Sequence, residues 1–152
     1  MKLKLEVGSE FMGEKETEER IEEDAALLET YEARLNSLNR DINIIEMLIQ
    51  EFERAKDTIT SYRNLKEGET MLVPIGGGYY IYGSTKNMPK TLINIGSSIV
   101  KEGTIEEGIE SLEKRTNELI EREKSLLETA ESLRREYTIV ENRIRKALAK
   151  KK

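Results

Sequence analysis

The sequence predicts a mainly α-helical protein with a small β segment, arranged as a long antiparallel coiled-coil hairpin with two β-hairpins at its base. Three observations support this fold class. Charged residues make up 36% of the 152 residues, against about 25% in a typical soluble domain. Apolar residues recur at heptad spacing on both sides of the middle of the chain. Four short runs rich in β-branched and aromatic residues lie between the two heptad regions.

The charge balance indicates long exposed helices. The chain holds 25 Lys and Arg and 30 Asp and Glu, for a net charge of −5. Disordered chains usually combine a larger net charge with fewer Ile and Leu residues. A compact globule of this length usually has a larger apolar fraction than the 37% found here. The composition therefore suits helices with charged outer faces and a narrow apolar seam.

The residue types that are missing exclude several chemistries. The chain has no Cys and no His, which removes disulfides, thiolate nucleophiles, Cys-ligated metals and His-based catalysis. Carboxylate or Lys catalysis remains open, but we expect no enzyme activity, no cofactor and no metal site. No apolar run approaches the roughly 18 residues of a membrane span, and an acidic chain is poorly suited to nucleic acid. We expect a cytoplasmic protein with neither membrane nor nucleic-acid partners.

Residues 1–15 are interpreted as a leader. The run Gly8-Ser9-Glu10-Phe11 resembles the translation of a cloning site, and Met12 would then be the native start. The alternative is a native segment that is disordered or that forms a strand only with a partner. This stretch is left out of the fold prediction.

Residues 16–66 are predicted to form the first coiled-coil helix. No Gly or Pro occurs between about Glu16 and Leu65, and two apolar rows alternate at spacings of three and four. Two polar residues, Asp24 and Lys56, interrupt the rows. The first row contains Ile21, Leu28, Leu35, Ile42 and Ile49, and the second contains Tyr31, Leu38, Ile45, Phe52 and Ile59.

Residues 104–150 are predicted to form the second coiled-coil helix. Thr104 and Glu107 have the spacing of a capping box at its start, and Gly108 weakens only its first turns. One row contains Ile105, Leu112, Leu119, Leu126, Leu133, Val140 and Ala147, and the other contains Ile109, Thr116, Glu123, Ala130, Tyr137 and Ile144.

Helix length and charge favour an antiparallel pair. At about 1.5 Å per residue, helices of about 50 and about 45 residues would be roughly 75 and 68 Å long. Residues 14–24 hold seven acids and two bases, whereas residues 143–152 hold six bases and no acid. Antiparallel pairing places these oppositely charged ends together. The alternative is a parallel dimer of each helix.

The connecting residues 69–102 are predicted to form two β-hairpins. Strands are expected at 70–75, 79–82, 91–95 and 98–101, with turns at Gly76-Gly77-Gly78 and Gly96-Ser97 and a break at residues 87–89. Gly68 is expected to end the first helix region. Pro74 lacks an amide hydrogen, so its strand should be an edge or contain a bulge. The triple glycine resembles a phosphate-binding loop only in composition, because the Lys-Ser/Thr of such a loop is missing.

These strands are too apolar to stand alone. An isolated hairpin is marginally stable in water and exposes its edges, so we expect pairing with strands of other subunits. The alternative is a monomer whose strands fold back on the helices. The residues expected at this oligomerisation surface are Leu72, Val73, Ile75, Tyr80, Tyr82, Leu92, Ile93, Ile95, Ile99 and Val100.

The order of helix, two β-hairpins and helix resembles an archaeal α-class prefoldin subunit. The resemblance rests on residues 72–83 (LVPIGGGYYIYG), on residues 92–96 (LINIG) and on the following Val100-Lys101-Glu102. Subunits of the β class have a single β-hairpin, so two β-hairpins favour the α class. The filament-forming γ-type branch of the family shares the same β motif, so the sequence leaves both assemblies open.

The resemblance implies a chaperone. Two α-class and four β-class subunits of the family join their β-hairpins into a double β-barrel platform that carries six coiled coils. The tips of these coiled coils bind non-native polypeptides without ATP and deliver them to a group II chaperonin. The γ-type branch instead assembles with itself into filaments.

A fraying helix end independently offers a client-binding surface, because it exposes seam residues. The candidate client-binding residues are Ile21, Leu27, Leu28, Ile144 and Leu148. Their alternative role is to close the coiled coil.

Overall fold

A computed structural model describes the backbone of residues 3–86 and 90–150 and the side chains of residues 15–86 and 90–150. The break predicted at residues 87–89 and the last two lysines lie outside this range. The elements, in chain order, are α1 (Leu3–Arg63), β1 (Thr70–Gly76), β2 (Tyr79–Ser84), β3 (Lys90–Gly96), β4 (Ile99–Thr104) and α2 (Ile105–Ala149). The predicted fold class, two long helices with two small antiparallel β-hairpins between them, is confirmed.

The chain divides into two compact units. We call Met1–Ile44 with Glu123–Lys152 the terminal unit, and Ile45–Arg122 the hairpin unit. Each contains a segment of α1 and a segment of α2, and the hairpin unit also contains all four strands.

Helix α1 begins at Leu3, well before the Glu16 start that the sequence predicts. Gly8 and Gly13 therefore lie inside the helix, where each costs about 1 kcal/mol relative to Ala. Such a cost weakens a helix without breaking it, because glycine keeps the amide hydrogen that proline lacks. The proposed origin of residues 1–15 as a cloning-derived leader stays a prediction.

In the terminal unit the two helices run antiparallel. Along α1, Asp24 contacts Arg143 and Tyr31 contacts Glu136, while Asn39, further along α1, contacts Arg134, which lies earlier on α2. Residues that come later on α1 thus contact residues that come earlier on α2. Among residues 15–44 and 123–150, the buried side chains come from the predicted heptad rows, and they are Ile42, Ala130, Leu133 and Val140.

The two helices of the hairpin unit also run antiparallel. Lys56 of α1 forms an ion pair of 3.4 Å with Glu113 of α2, while Ile59, further along α1, lies beside Gly108, which comes earlier on α2. Ile45 and Ile105 are buried. Helix α2 begins with the predicted capping box. The Thr104 amide donates to Glu107 Oε2 at 2.8 Å, and the Glu107 amide donates to Thr104 Oγ1 at 3.1 Å.

The two β-hairpins form separate two-stranded sheets, β1 with β2 and β3 with β4. We call them β-hairpin 1 and β-hairpin 2. The register of β1 shifts between Pro74 and Gly76, and that of β3 shifts at the equivalent step between Asn94 and Gly96. Because β3 has no proline there, the irregularity is a feature that both hairpins share and is not caused by Pro74. The strands end one or more residues beyond the predicted bounds, at Gly76, Ser84, Gly96 and Thr104. Strand β4 begins at Ile99 and not at the predicted Ser98, because Ser98 has a positive φ and belongs to the turn.

Gly68 does not end α1 directly, because the helix already ends at Arg63. It lies instead in a turn in which the Glu69 amide donates to the Lys66 carbonyl at 3.2 Å, and its φ of 81° suits the third position of a type II turn. The buried Thr85 holds this turn, since its hydroxyl donates to the Lys66 carbonyl at 2.6 Å. This clamp fixes the end of β-hairpin 1 to the loop after α1.

Candidate interaction surfaces

β-hairpin 1 exposes a broad apolar face. Residues directly opposite each other across an antiparallel pair lie on the same face, so the pairs Leu72–Tyr82 and Pro74–Tyr80 share one side. Leu72 is 57% exposed and Tyr82 is 82% exposed. We call this side the outer face of β-hairpin 1. Met71 and Val73 lie on the opposite face and are half-buried.

β-hairpin 2 exposes a corresponding outer face that is more polar. Its outer face carries Leu92 and Val100, both exposed, together with an ion pair between Lys90 and Glu102. The opposite face lies against α2. If Gly108 of α2 carried a Cβ, that atom would lie 2.6 Å from Cγ2 of Thr91. Glycine is therefore required here by the close approach of the strand.

The predicted oligomerisation residues divide between the two faces. All of them are exposed except Val73 and Ile93, which are half-buried on the faces opposite the outer ones. Two exposed residues are missing from the prediction, namely Tyr79, which is 73% exposed, and Ile81. Both belong to the aromatic run Tyr79-Tyr80-Ile81-Tyr82. The apolar character of that whole run is the sequence signal that could have identified them. The interface role of all these residues stays a proposal.

The two β-hairpins are an internal repeat that the sequence prediction missed. Residues 70–84 and 90–104 have the same register and the same burial pattern. Their shared signal is the run Leu-Val/Ile-X-Ile-Gly at residues 72–76 and 92–96. Both turns place two residues at positive φ, Gly77-Gly78 in one and Ser97-Ser98 in the other, as a type I′ hairpin turn requires.

A crevice lies beside β-hairpin 2 in the hairpin unit. Its volume is about 360 Å³, and its walls come from the last turns of α1, from β3 and from the first residue of α2. Exposed Leu92 on its rim connects it with the outer face of β-hairpin 2. The crevice is lined by Thr58, Ile59, Tyr62, Lys90, Thr91, Leu92 and Ile105.

The candidate client-binding residues all lie in the terminal unit. Ile21, Leu27, Leu28 and Ile144 are half-buried, and Leu148 is 51% exposed. The ion pair of Asp24 Oδ2 with Arg143 Nε, at 3.0 Å, brings the α1 and α2 segments that carry these residues together. Partial burial is compatible both with closing the coiled coil and with client binding, so their role stays a proposal.

Two tyrosines join the helices of the terminal unit reciprocally. Tyr31 Oη donates to Glu136 Oε2 at 3.1 Å, and Tyr137 Oη donates to Glu32 Oε1 at 2.8 Å. Burial, followed by the hydrogen bond to Glu136, raises the pKa of Tyr31 above its usual value of 10.0. The hydrogen bond to Glu32, followed by burial, raises the pKa of Tyr137 in the same way. In both cases the surroundings favour the neutral phenol, which is the form that donates the hydrogen bond.

The part of the chain that the structure describes shows neither a metal-binding cluster nor a membrane-spanning helix. Within residues 15–86 and 90–150, no group of three or more Asp and Glu residues is placed to hold a metal ion. Across the described helices, none combines the length and apolarity needed to cross a membrane.

The fold and its exposed strands define a class of protein: a two-helix subunit with β-hairpins between its helices. A family profile described as "Prefoldin: Prefoldin subunit" matches residues 31–150. The chain belongs to the prefoldin family, which is a family of chaperones. The resemblance stated from residues 72–83 and 92–102 is thus confirmed.

Archaeal α subunits are among its relatives. The chain is 37% identical over 82 residues to prefoldin subunit alpha of Thermofilum pendens, covering 54% of this chain and 64% of the relative. It is 30% identical over 96 residues to prefoldin subunit alpha of Methanothrix thermoacetophila, covering 63% of each chain. The chain thus spans a little under two thirds of the length of these two relatives.

A solved structure supports the fold. The chain is similar to a filamentous PFD from Methanocaldococcus jannaschii determined by cryo-EM, with a TM-score of 0.64. The sequence identity is 24%, and the match covers 78% of this chain and 95% of the other.

Proposed function

We propose that this chain is the subunit of an ATP-independent holdase that assembles through its β-hairpins and captures non-native polypeptides at the ends of its helices. The observation that supports this proposal best is the exposed apolar outer face of β-hairpin 1 in a member of a chaperone family. An exposed apolar patch of this kind on a soluble protein usually marks an interaction site.

Assembly would bury the exposed outer faces of the β-hairpins and pair their strand edges. Each β-hairpin is a two-stranded sheet with two unpaired edges, and such edges readily pair with further strands. Pairing with strands of β-class prefoldin subunits, or with other copies of this chain, would satisfy those edges. It would also cover Leu72, Tyr80 and Tyr82. A β-barrel platform of the kind that the family resemblance implies meets both requirements.

Client capture is assigned to the terminal unit. The half-buried seam residues Ile21, Leu28 and Ile144 would become accessible when the ends of α1 and α2 separate. Several such ends in one assembly would bind one client with increased avidity. We further propose that the chain works in the cytoplasm, that it is not an enzyme, and that it passes its clients to a group II chaperonin.

An aggregation assay tests the holdase proposal. A chemically denatured client is diluted into buffer without ATP, with or without a near-stoichiometric amount of the assembled chain, and light scattering is followed. The proposal predicts slower aggregation that depends on chain concentration, whereas an equal mass of an unrelated acidic coiled-coil protein gives no protection. Unchanged aggregation would remove the holdase function.

A second candidate is a self-assembling structural filament. The internal repeat favours it, because one chain then carries two hairpins of the same backbone geometry and can pair with two neighbours in an open series. Sedimentation and electron microscopy of the chain purified alone separate the candidates. Filaments of varied length without another subunit type would support the structural role and exclude an obligatory heterohexamer.

A further inference from the structure

Two polar residues, Asp24 and Lys56, interrupt the heptad rows of α1, and each forms an ion pair with α2 within its own unit. In the terminal unit, Asp24 Oδ2 lies 3.0 Å from Arg143 Nε. In the hairpin unit, Lys56 Nζ lies 3.4 Å from Glu113 Oε1. The two sites differ in burial: the Asp24 side chain is 16% exposed and that of Lys56 is 39% exposed. Asp24 therefore loses more of its hydration.

A partly buried carboxylate in an apolar seam weakens the pairing of the helices. Burial removes water from the Asp24 carboxylate, and its partner Arg143 is 59% exposed, so the attraction between the two charges is weakened by solvent. Replacing a buried charge in such a pair with an apolar residue often stabilises a protein. A polar residue at a core position of a coiled coil likewise fixes register at a cost in stability. Asp24 thus makes the seam around it easier to open than an unbroken apolar row would be.

The position of this weak point coincides with the candidate client-binding residues. Ile21 and Leu28 lie about one helical turn on either side of Asp24, and Ile144 follows Arg143 directly. Lys56 has no candidate client-binding residue within a turn of it. The ion pair between Asp24 and Arg143 is therefore placed where its opening would release those seam residues.

We propose that Asp24 is a positioning residue for client capture, which keeps the seam of the terminal unit only weakly closed so that Ile21, Leu28 and Ile144 are available to clients. This inference rests on the proposed holdase function. A client that binds only the open seam has an apparent affinity reduced by the fraction of time that the seam is closed. Asp24 raises the open fraction, and Arg143 limits it.

The test compares Asp24→Leu with Lys56→Leu in the assembled full chain. Both changes place Leu at a heptad position and remove an ion pair between the helices. Asp24→Leu should slow hydrogen exchange in residues 15–30 and 140–150 by roughly 5- to 30-fold, the factor that corresponds to one or two kcal/mol. It should also weaken suppression of client aggregation by a comparable factor. Lys56→Leu should leave capture unchanged.

A variant with the opposite effect completes the experiment. Arg143→Ala leaves the Asp24 carboxylate partly buried without this partner, so it should speed exchange and strengthen capture at equal concentration. Light scattering checks that all variants keep the wild-type mass. The inference is overturned if Asp24→Leu protects the client as well as wild type does, or if it does not slow exchange. If the wild-type chain itself gives no protection, the holdase proposal fails first and this inference fails with it.

Discussion

Single side chains determine how closely the elements approach each other. In the terminal unit, Tyr31 and Tyr137 each donate a hydrogen bond to a glutamate of the opposite helix. In the hairpin unit, Gly108 allows Thr91 to contact α2, where any larger residue would meet the strand. Neither role follows from residue type alone, because a heptad tyrosine and a helical glycine also have more ordinary explanations.

Alkaline pH should destabilise the helix pair of the terminal unit through these tyrosines. Their pKa values are raised in the folded chain, so their stabilising contribution is complete below the unfolded value of about 10. It is lost as the pH rises through the folded pKa values. The melting temperature, measured by circular dichroism, should therefore fall above about pH 10. The Tyr31→Phe, Tyr137→Phe double variant should show a smaller fall, and an equal fall would contradict this origin.

Gly108→Ala should destabilise the hairpin unit even though alanine is the better helix former. The new methyl group would lie 2.6 Å from Thr91 Cγ2, and overpacking of this kind costs about 1–3 kcal/mol. Thermal unfolding should show a lowered melting temperature. Adding Thr91→Ser removes the clashing methyl group and should restore part of the loss, whereas an unchanged melting temperature in Gly108→Ala would contradict the close approach.

At the scale of elements, the local chemistry of the sequence predicts most of the structure. The heptad rows predict both helices, and Thr104 with Glu107 predicts the start of α2, which the capping box confirms. Gly8 and Gly13 predict a later start for α1 than the structure shows, because a helix tolerates single glycines and continues through both. The packing role of Gly108 was missed, since it depends on Thr91, a residue that only the folded structure brings close.

Removing the capping box should weaken the start of α2. Thr104→Ala deletes the hydroxyl that accepts from the Glu107 amide and should cost about 1 kcal/mol of stability. Thr129→Ala is a matched control, because the exposed Thr129 hydroxyl donates only to the Ser125 carbonyl within the helix. Thermal unfolding of the two variants should show a lower melting temperature for Thr104→Ala alone. Equal melting temperatures would indicate that the cap contributes nothing.

At the scale of the whole molecule, we propose that assembly and client binding use two different surfaces. The uncharged outer face of β-hairpin 1 is assigned to assembly, and the seam at the ends of the helices is assigned to clients. The internal repeat shows how similar backbones acquired different surfaces, since Tyr82 and Glu102 occupy equivalent positions. The sequence predicts the apolar strands, but their separation into outer and opposite faces required the observed register.

The repeat supplies a matched pair of variants for the assembly surface. Tyr82→Ser removes a large exposed aromatic ring, and the loss of an interface residue that contributes about 2 kcal/mol weakens association by roughly 30-fold. Glu102→Ser, at the equivalent position, should change association much less. Sedimentation velocity over a concentration series measures both. A larger effect of Glu102→Ser would assign assembly to β-hairpin 2 instead.

Photo-cross-linking tests the division between assembly and capture most directly. A photoreactive phenylalanine analogue replaces either exposed Tyr82 or exposed Leu148, and the assembled chain is irradiated together with a denatured client. We expect position 82 to cross-link to a neighbouring subunit and position 148 to cross-link to the client. Client attached at position 82, with only subunits attached at position 148, would contradict the account.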